Sequence, residues 1–157
     1  MRILEKLPED HAWVETLLEG RWGSTAIVSR GCVYQADELP GYILWEKEAR
    51  MGLITYHIEG ETCEIVTLDS LSEGKGIGTA LIDALHDRAL NLGCDRLWVI
   101  TTNDNLPALR FYQKRGFRLT ALYPSAVEES RRLKPSIPLV GHEDIPIRDE
   151  IQLQMYL

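Results

Sequence analysis

The stretch Ser72-Glu73-Gly74-Lys75-Gly76-Ile77-Gly78-Thr79 constrains this chain more than any other, because it joins an apolar, β-branched run to a strongly periodic helical one. Three alternating glycines let a backbone turn sharply, adopt positive φ and present several N–H groups without Cβ obstruction. Ile77, Ala80, Leu81, Ala84, Leu85 and Leu92 follow at helical spacing, so the loop opens onto a helix N-terminus. Unpaired N–H groups and the positive end of the helix dipole favour an anion there. Lys75 adds a mobile positive charge. A plain strand-to-helix turn has the same glycines, so the flanking sequence has to decide between a ligand cradle and a connection.

With 157 residues the chain has the length of one domain, and 1–157 is read as a single unit that can bury its own core. No long uncharged apolar run suggests a membrane span, and Met1-Arg2-Ile3-Leu4-Glu5-Lys6 turns acidic too soon for a signal peptide. A cytoplasmic protein is expected. The formal charge of −7 argues against nucleic-acid binding, which needs Lys and Arg to neutralise phosphates, and leaves room for a cationic partner. Cys32, Cys63 and Cys94 are odd in number and widely spaced, so they read as small core residues; neither they nor the scattered histidines have metal-ligand spacing.

Arg2 to Leu7 reads as a first strand, and Pro8-Glu9-Asp10 opens a helix with Trp13, Leu17 and Leu18 on one face, broken by Gly20 and Gly23. Thr25 to Ser29 is a short strand ending at Gly31. Tyr42 to Glu46, Gly52 to Ile58 and Cys63 to Leu68 form an antiparallel meander around turns at Lys47–Arg50 and Glu59–Glu61. The third of these strands feeds the glycine loop. After the long helix and Gly93, Arg96 to Thr101 is a buried-strand run, which makes strand, helix and strand a parallel βαβ unit. Thr102-Asn103-Asp104-Asn105 caps a second helix through Leu109 and Tyr112, ended by Gly116. Phe117 to Leu122 is another strand, Ser125 to Leu133 a short helix, Lys134 to Ile147 a proline-punctuated loop, and Glu150 to Met155 a closing strand. The expected architecture is α/β: a mixed, mostly antiparallel sheet with a central parallel βαβ unit and flanking helices.

This order of motifs resembles the GNAT superfamily, acyltransferases that move an acetyl group from acetyl-CoA to an amine. The family signature, Arg or Gln, two residues, Gly, one residue, then Gly or Ala, is matched by Glu73-Gly74-Lys75-Gly76-Ile77-Gly78 except at Glu73. A second motif, Asn, Ala, an aromatic-Tyr pair and Gly-Phe, is matched by Asn105, Ala108, Phe111-Tyr112 and Gly116-Phe117. The phosphate loop of nucleotide hydrolases would need Gly-Lys-Ser/Thr where this chain has Gly78-Thr79-Ala80.

The resemblance implies acetyl-CoA as acyl-donor cosubstrate, with its pyrophosphate on the N–H groups of Gly74, Lys75, Gly76, Ile77, Gly78 and Thr79. The main chain around Leu68 would pair with the pantetheine amides, with Asp69-Ser70 ending the strand pairing, and Asn105 would cap its helix and touch the cofactor. Glu73 would repel a phosphate and is therefore expected to face solvent. Tyr112 falls at the family's proton donor for the departing sulfur. Glu64, alternating with Val66 and Leu68, is the candidate base, ahead of His57. The expected reaction is N-acetyl transfer to a primary amine of a small molecule or peptide, with no nucleic-acid or membrane partner and a homodimer left open. The alternative is a non-catalytic acyl-CoA-binding domain. On the acceptor side, Trp22, Tyr34, Trp45 and Tyr56 are pocket candidates, and Asp37, Glu38, Glu128 and Glu129 could attract a cation. Residues 125–149, carrying Arg131, Arg132 and Lys134, could form a lid whose basic start would favour an acidic acceptor.

Overall fold

In the computed structural model, which describes every residue from Met1 to Leu157, the chain is built on a sheet of seven strands. In chain order its elements are β1 (Arg2–Glu5), α1 (His11–Trp22), β2 (Ala26–Ser29), β3 (Cys32–Gln35), β4 (Gly41–Glu46), β5 (Ala49–Glu59) and β6 (Thr62–Ser70). There follow α2 (Ile77–Asn91), β7 (Arg96–Thr102), α3 (Leu106–Lys114), β8 (Arg118–Tyr123), α4 (Ala126–Leu133) and β9 (Glu150–Tyr156). The sheet order is β1-β4-β5-β6-β7-β9-β8, and β2 and β3 form a separate hairpin. All pairings are antiparallel except β6 with β7, the two strands that flank α2. No helix is long and apolar enough to cross a membrane.

Both faces of the sheet are covered, which is why the meander strands read as nearly continuous apolar runs. Leu44, Ile54 and Ile65 pack under α2 and α3 against Ile77, Leu81, Leu85, Tyr112 and Phe117. Ile43, Leu53 and Val66 face the other way, onto Val14 and Leu18 of α1 and Ile27 of the hairpin. Fully burying aliphatic side chains of this kind contributes about 1.5–3 kcal/mol each, so these two layers dominate the stability of the fold.

Several local expectations are corrected. Gly20 does not break α1; a helix tolerates one interior glycine at about 1 kcal/mol, and this helix runs to Trp22, where Gly23 closes it at φ +80°. Cys32–Gln35, to which the sequence assigned no element, pairs with β2 through a two-residue turn in which Arg30 and Gly31 both have positive φ. That is the turn geometry matching the natural twist of a hairpin. Cys32 is exposed there, whereas Cys63 and Cys94 are buried as expected. Leu92 lies beyond the last turn of α2 and is exposed, because the buried face of that helix is Ile77, Leu81, Ile82, Leu85 and Ala89.

Candidate active site

The site is organised by the way β6 parts from β7. The two strands pair only from Thr62 opposite Arg96 to Ile65 opposite Val99, after which they diverge. β6 continues to Ser70 on β5 alone, so its pairing with β7 stops well before the Asp69-Ser70 end that the sequence suggested. A β-bulge shifts the β5–β6 register between Thr55 and Tyr56, opposite Val66. One extra residue in a strand reverses its later side chains. Val66 therefore packs toward α1, Leu68 toward the opposite layer, and Asp69 again toward α1, where Trp22 donates its indole N–H to the carboxylate at 3.1 Å. The simple alternation of Glu64, Val66 and Leu68 on one face does not hold.

At the end of β6 the glycine loop delivers the chain to α2. None of the backbone N–H groups from Glu73 to Thr79 has a partner within the protein. Gly76, at φ +74°, is the N-cap of α2, a backbone conformation strained for any residue with a Cβ. Gly78 instead serves close packing: a Cβ there would lie 2.9 Å from Cζ of Phe111, so α2 and α3 touch at this point. Glu73 is exposed, and the Lys75 ammonium rests 3.6 Å from the Glu46 carboxylate on the surface. A row of free N–H donors at the start of a fifteen-residue helix is chemically suited to a pyrophosphate.

A basic residue missed in the sequence stands beside it. Arg115, at the end of α3, donates from Nε to the Thr79 hydroxyl at 2.7 Å and stacks its guanidinium 3.8 Å from the Phe111 ring centre. Its position after the aromatic-Tyr pair was the available signal, since an arginine at a helix end is free to reach a neighbouring loop.

Tyr112 sits on the inner face of α3, packed edge-on against Phe111 and Phe117 and almost wholly buried. Burial, with the Asp69 carboxylate acting in the same direction, raises the pKa of its phenol, so it stays protonated at neutral pH. Asn105 caps α3 by accepting the Ala108 N–H at 3.2 Å and lies where β7 has separated from β6.

On the α1 side of the same divergence is a cavity of about 130 Å³. Ile65 and Val66 of β6, Ile100, Thr101 and Thr102 of β7, and Asn105 contribute to its walls. Glu64 also lines it. Only 2% of this residue is exposed, and its carboxylate accepts hydrogen bonds from the Ser29 hydroxyl at 2.6 Å and the Tyr34 phenol at 2.8 Å. Burial raises its pKa, while those two donors and the neighbouring His57 pull it back. A strand glutamate of this kind would ordinarily be solvated. Here the β2–β3 hairpin covers it, and because the hairpin is remote in sequence nothing local announced the burial.

Other acceptor-side expectations divide sharply. Trp22 lines the cavity and Tyr34 reaches it through Glu64, but Trp45 lies between Arg2 and Arg50 on the outer strands, and Tyr56 stacks on Tyr42 within the core. Glu38, Glu128 and Glu129 are solvent-facing, and Asp37 is engaged by His11 at 3.0 Å. The acid that does reach the cavity is Glu150, at the start of β9, which was not singled out from sequence. Residues 125–149 place Val127, Ser130 and Ile137 on the cavity wall. Their basic residues are occupied elsewhere: Arg131 donates to the carbonyls of Pro138 and Ile147, Lys134 to that of Trp22, and Arg132 pairs with Glu129. The expected basic preference for an acidic acceptor therefore loses its support.

Comparison with known proteins bears on the family and the fold. The model of the acetyltransferase (GNAT) family matches residues 7–117. The chain is 45% identical over 149 residues to the uncharacterized protein YxbD of Bacillus subtilis (strain 168), covering 94% of this chain and 92% of that protein. It is 47% identical over 131 residues to the uncharacterized protein YdhI of the same organism, covering 83% and 82% respectively. Among solved structures, a GNAT family acetyltransferase from Elizabethkingia anophelis with acetyl-CoA bound has a similar fold. The TM-score is 0.70 at 20% identity, over 99% of this chain and 97% of that one.

Proposed function

Because this chain belongs to the GNAT acetyltransferase family, and is thus an acyltransferase, we propose that it transfers acetyl from acetyl-CoA directly to a primary amine, with Tyr112 as acid and Glu64 as base. The observation that carries the reading is the divergence of β6 from β7. It places a row of free N–H donors beyond one end of the gap and a buried carboxylate beside the other.

The residues present fit the cosubstrate. The N–H groups of Gly74 to Thr79 hold its pyrophosphate at the N-terminus of α2, with the helix dipole favouring the charge. The backbone around Leu68, which has no partner on its β7 side, is available to the pantetheine amides. When bound, acetyl-CoA supplies an activated acyl carbon and a thiolate leaving group.

An amine arrives at neutral pH as its ammonium, which has no lone pair for attack. Glu64 removes one proton, directly or through a water, and its raised pKa makes it a stronger base than an exposed carboxylate. The freed nitrogen lone pair forms the new C–N bond as the C–S bond breaks and its electron pair goes to sulfur. Tyr112 gives its proton to that sulfur and is reprotonated by the proton the nitrogen sheds on becoming an amide. In balance, ammonium and thioester become amide, thiol and one proton, which Glu64 passes to solvent. Hydrogen bonds from Ser29 and Tyr34 keep Glu64 fixed while its charge changes.

Release of free CoA thiol across a panel of primary amines tests this reading. The wild-type protein should release thiol with at least one amine, and Tyr112→Phe should lower kcat by about 10²-fold or more with CoA affinity nearly retained. A Tyr112→Phe protein with wild-type kcat would remove Tyr112 from the chemistry.

A further inference from the structure

Two carboxylates line the acceptor cavity, and no cation of the protein pairs with either. Glu64 accepts only from neutral hydroxyls. Glu150, 3% exposed, accepts from the Arg30 backbone N–H at 3.2 Å and from the Ser130 hydroxyl at 3.4 Å. Neither takes part in a salt bridge, and the cavity wall contains no Lys, Arg or His. His57, opposite Glu64 across β5 and β6, lies outside the cavity wall and acts on Glu64 alone, and the nearby arginine and lysine cations are committed elsewhere. The Arg30 guanidinium lies 3.3 Å from the centre of the Tyr123 ring, Arg131 holds carbonyls of the 134–147 loop, and Lys134 reaches the Trp22 carbonyl.

Buried carboxylates without a counter-charge are costly, and two in one cavity repel each other as well. A ligand that carries positive charge removes that cost. One ammonium is insufficient, because the reacting amine surrenders a proton to Glu64 and leaves Glu150 unmatched. The volume limits the rest: about 130 Å³ is close to the roughly 150 Å³ cavity that accommodates benzene. The wall that carries the two acids is also aliphatic, with Ile27, Val66, Ile100 and Val127.

We propose that the acceptor is a short aliphatic diamine, whose reacting amine meets Glu64 and whose second amine remains an ammonium paired with Glu150. This rests on the reading of Glu64 as proton acceptor. Glu150 is then the residue that determines specificity. Serine hydroxyl and backbone N–H hold its carboxylate in place without neutralising it, which leaves its charge for the ligand.

The test compares putrescine with n-butylamine, which has the same carbon chain and one amine fewer. Binding to the CoA-saturated protein is measured by calorimetry, and kcat/KM by thiol release. Putrescine should be favoured by roughly tenfold or more in both, and in E150Q the ratio should fall toward one. E150D, which keeps the charge one methylene further back, should give an intermediate ratio and serves if E150Q does not fold. Equal affinity for the two amines, or an undiminished putrescine advantage in E150Q, would overturn the inference. Turnover of both amines at equal kcat/KM would sink the diamine assignment and leave the acetyl-transfer reading intact. Selective putrescine binding with no thiol release would sink Glu64 as base and leave Glu150 as the ammonium site.

Discussion

The Tyr34 phenol donates to Oε1 of Glu64 at 2.8 Å across thirty positions of sequence, so a hairpin outside the main sheet sets the environment of the proposed base. The bond favours the ionised carboxylate and opposes the effect of burial. In Tyr34→Phe the folded pKa of Glu64 should rise. The acid limb of the kcat/KM profile then moves to higher pH, while activity at alkaline pH stays near wild type. A superimposable profile would show that Glu64 is not the titrating base.

Glu64 also couples pH to stability. Its pKa is higher in the folded protein than in an unfolded chain, so the native state binds the extra proton between those two values. The favourable contribution is complete below the unfolded pKa and is lost as pH rises through the folded one. Glu64→Gln cannot titrate, so its melting temperature relative to wild type should increase as pH is raised across that window. Thermal melts at a series of pH values check this; a difference independent of pH would contradict it.

The glycine loop gives a prediction about the donor. Gly76 has open space around it and positive φ, so Gly76→Ala introduces backbone strain of about 1–2 kcal/mol. Gly76→Asp adds a carboxylate beside the free N–H groups. Calorimetry should find CoA binding weakened roughly tenfold or more beyond the alanine variant. Equal affinities in the two variants would place the pyrophosphate away from this loop.

Far from the cavity, Asp10 binds β5 to the start of α1. Its Oδ1 accepts from Arg50 Nε at 2.9 Å, with Nη2 of the same guanidinium ion-paired at 2.9 Å, and its Oδ2 accepts the Leu7 N–H at 2.8 Å. Arg50 is itself stacked on Trp45. Asp10→Ala strands both donors and should lower stability by about 3 kcal/mol in urea unfolding. Asp10→Asn, which can still accept from one side, should cost less. A loss under about 0.5 kcal/mol in the alanine variant would show that water replaces the pair.

The order of elements, the glycine loop before α2, the Asn105 cap and the position of Tyr112 on its helix were all legible in the chain, because each depends on neighbours within a few residues. Hydrophobic period, cap chemistry and glycine spacing are local quantities, and the meander with its parallel unit follows from them. The β2–β3 hairpin was only half visible, since Arg30 departs from the usual glycine or asparagine of its turn.

The acceptor side was decided by tertiary structure. Glu64 was a candidate base whose burial no local signal announced, since the covering hairpin is remote in sequence, and Glu150 carried no motif at all. The bulge at Val66 reversed the faces that simple alternation assigns. Conversely, the acidic and basic runs that stood out in sequence turned to solvent or were tied to carbonyls. Charge burial is a property of what packs over a residue, and here the covering elements lie far along the chain from the acids they enclose. The sequence by itself thus determined the fold and the glycine loop, whereas the electrostatic character of the cavity beside Glu64 came only from long-range packing.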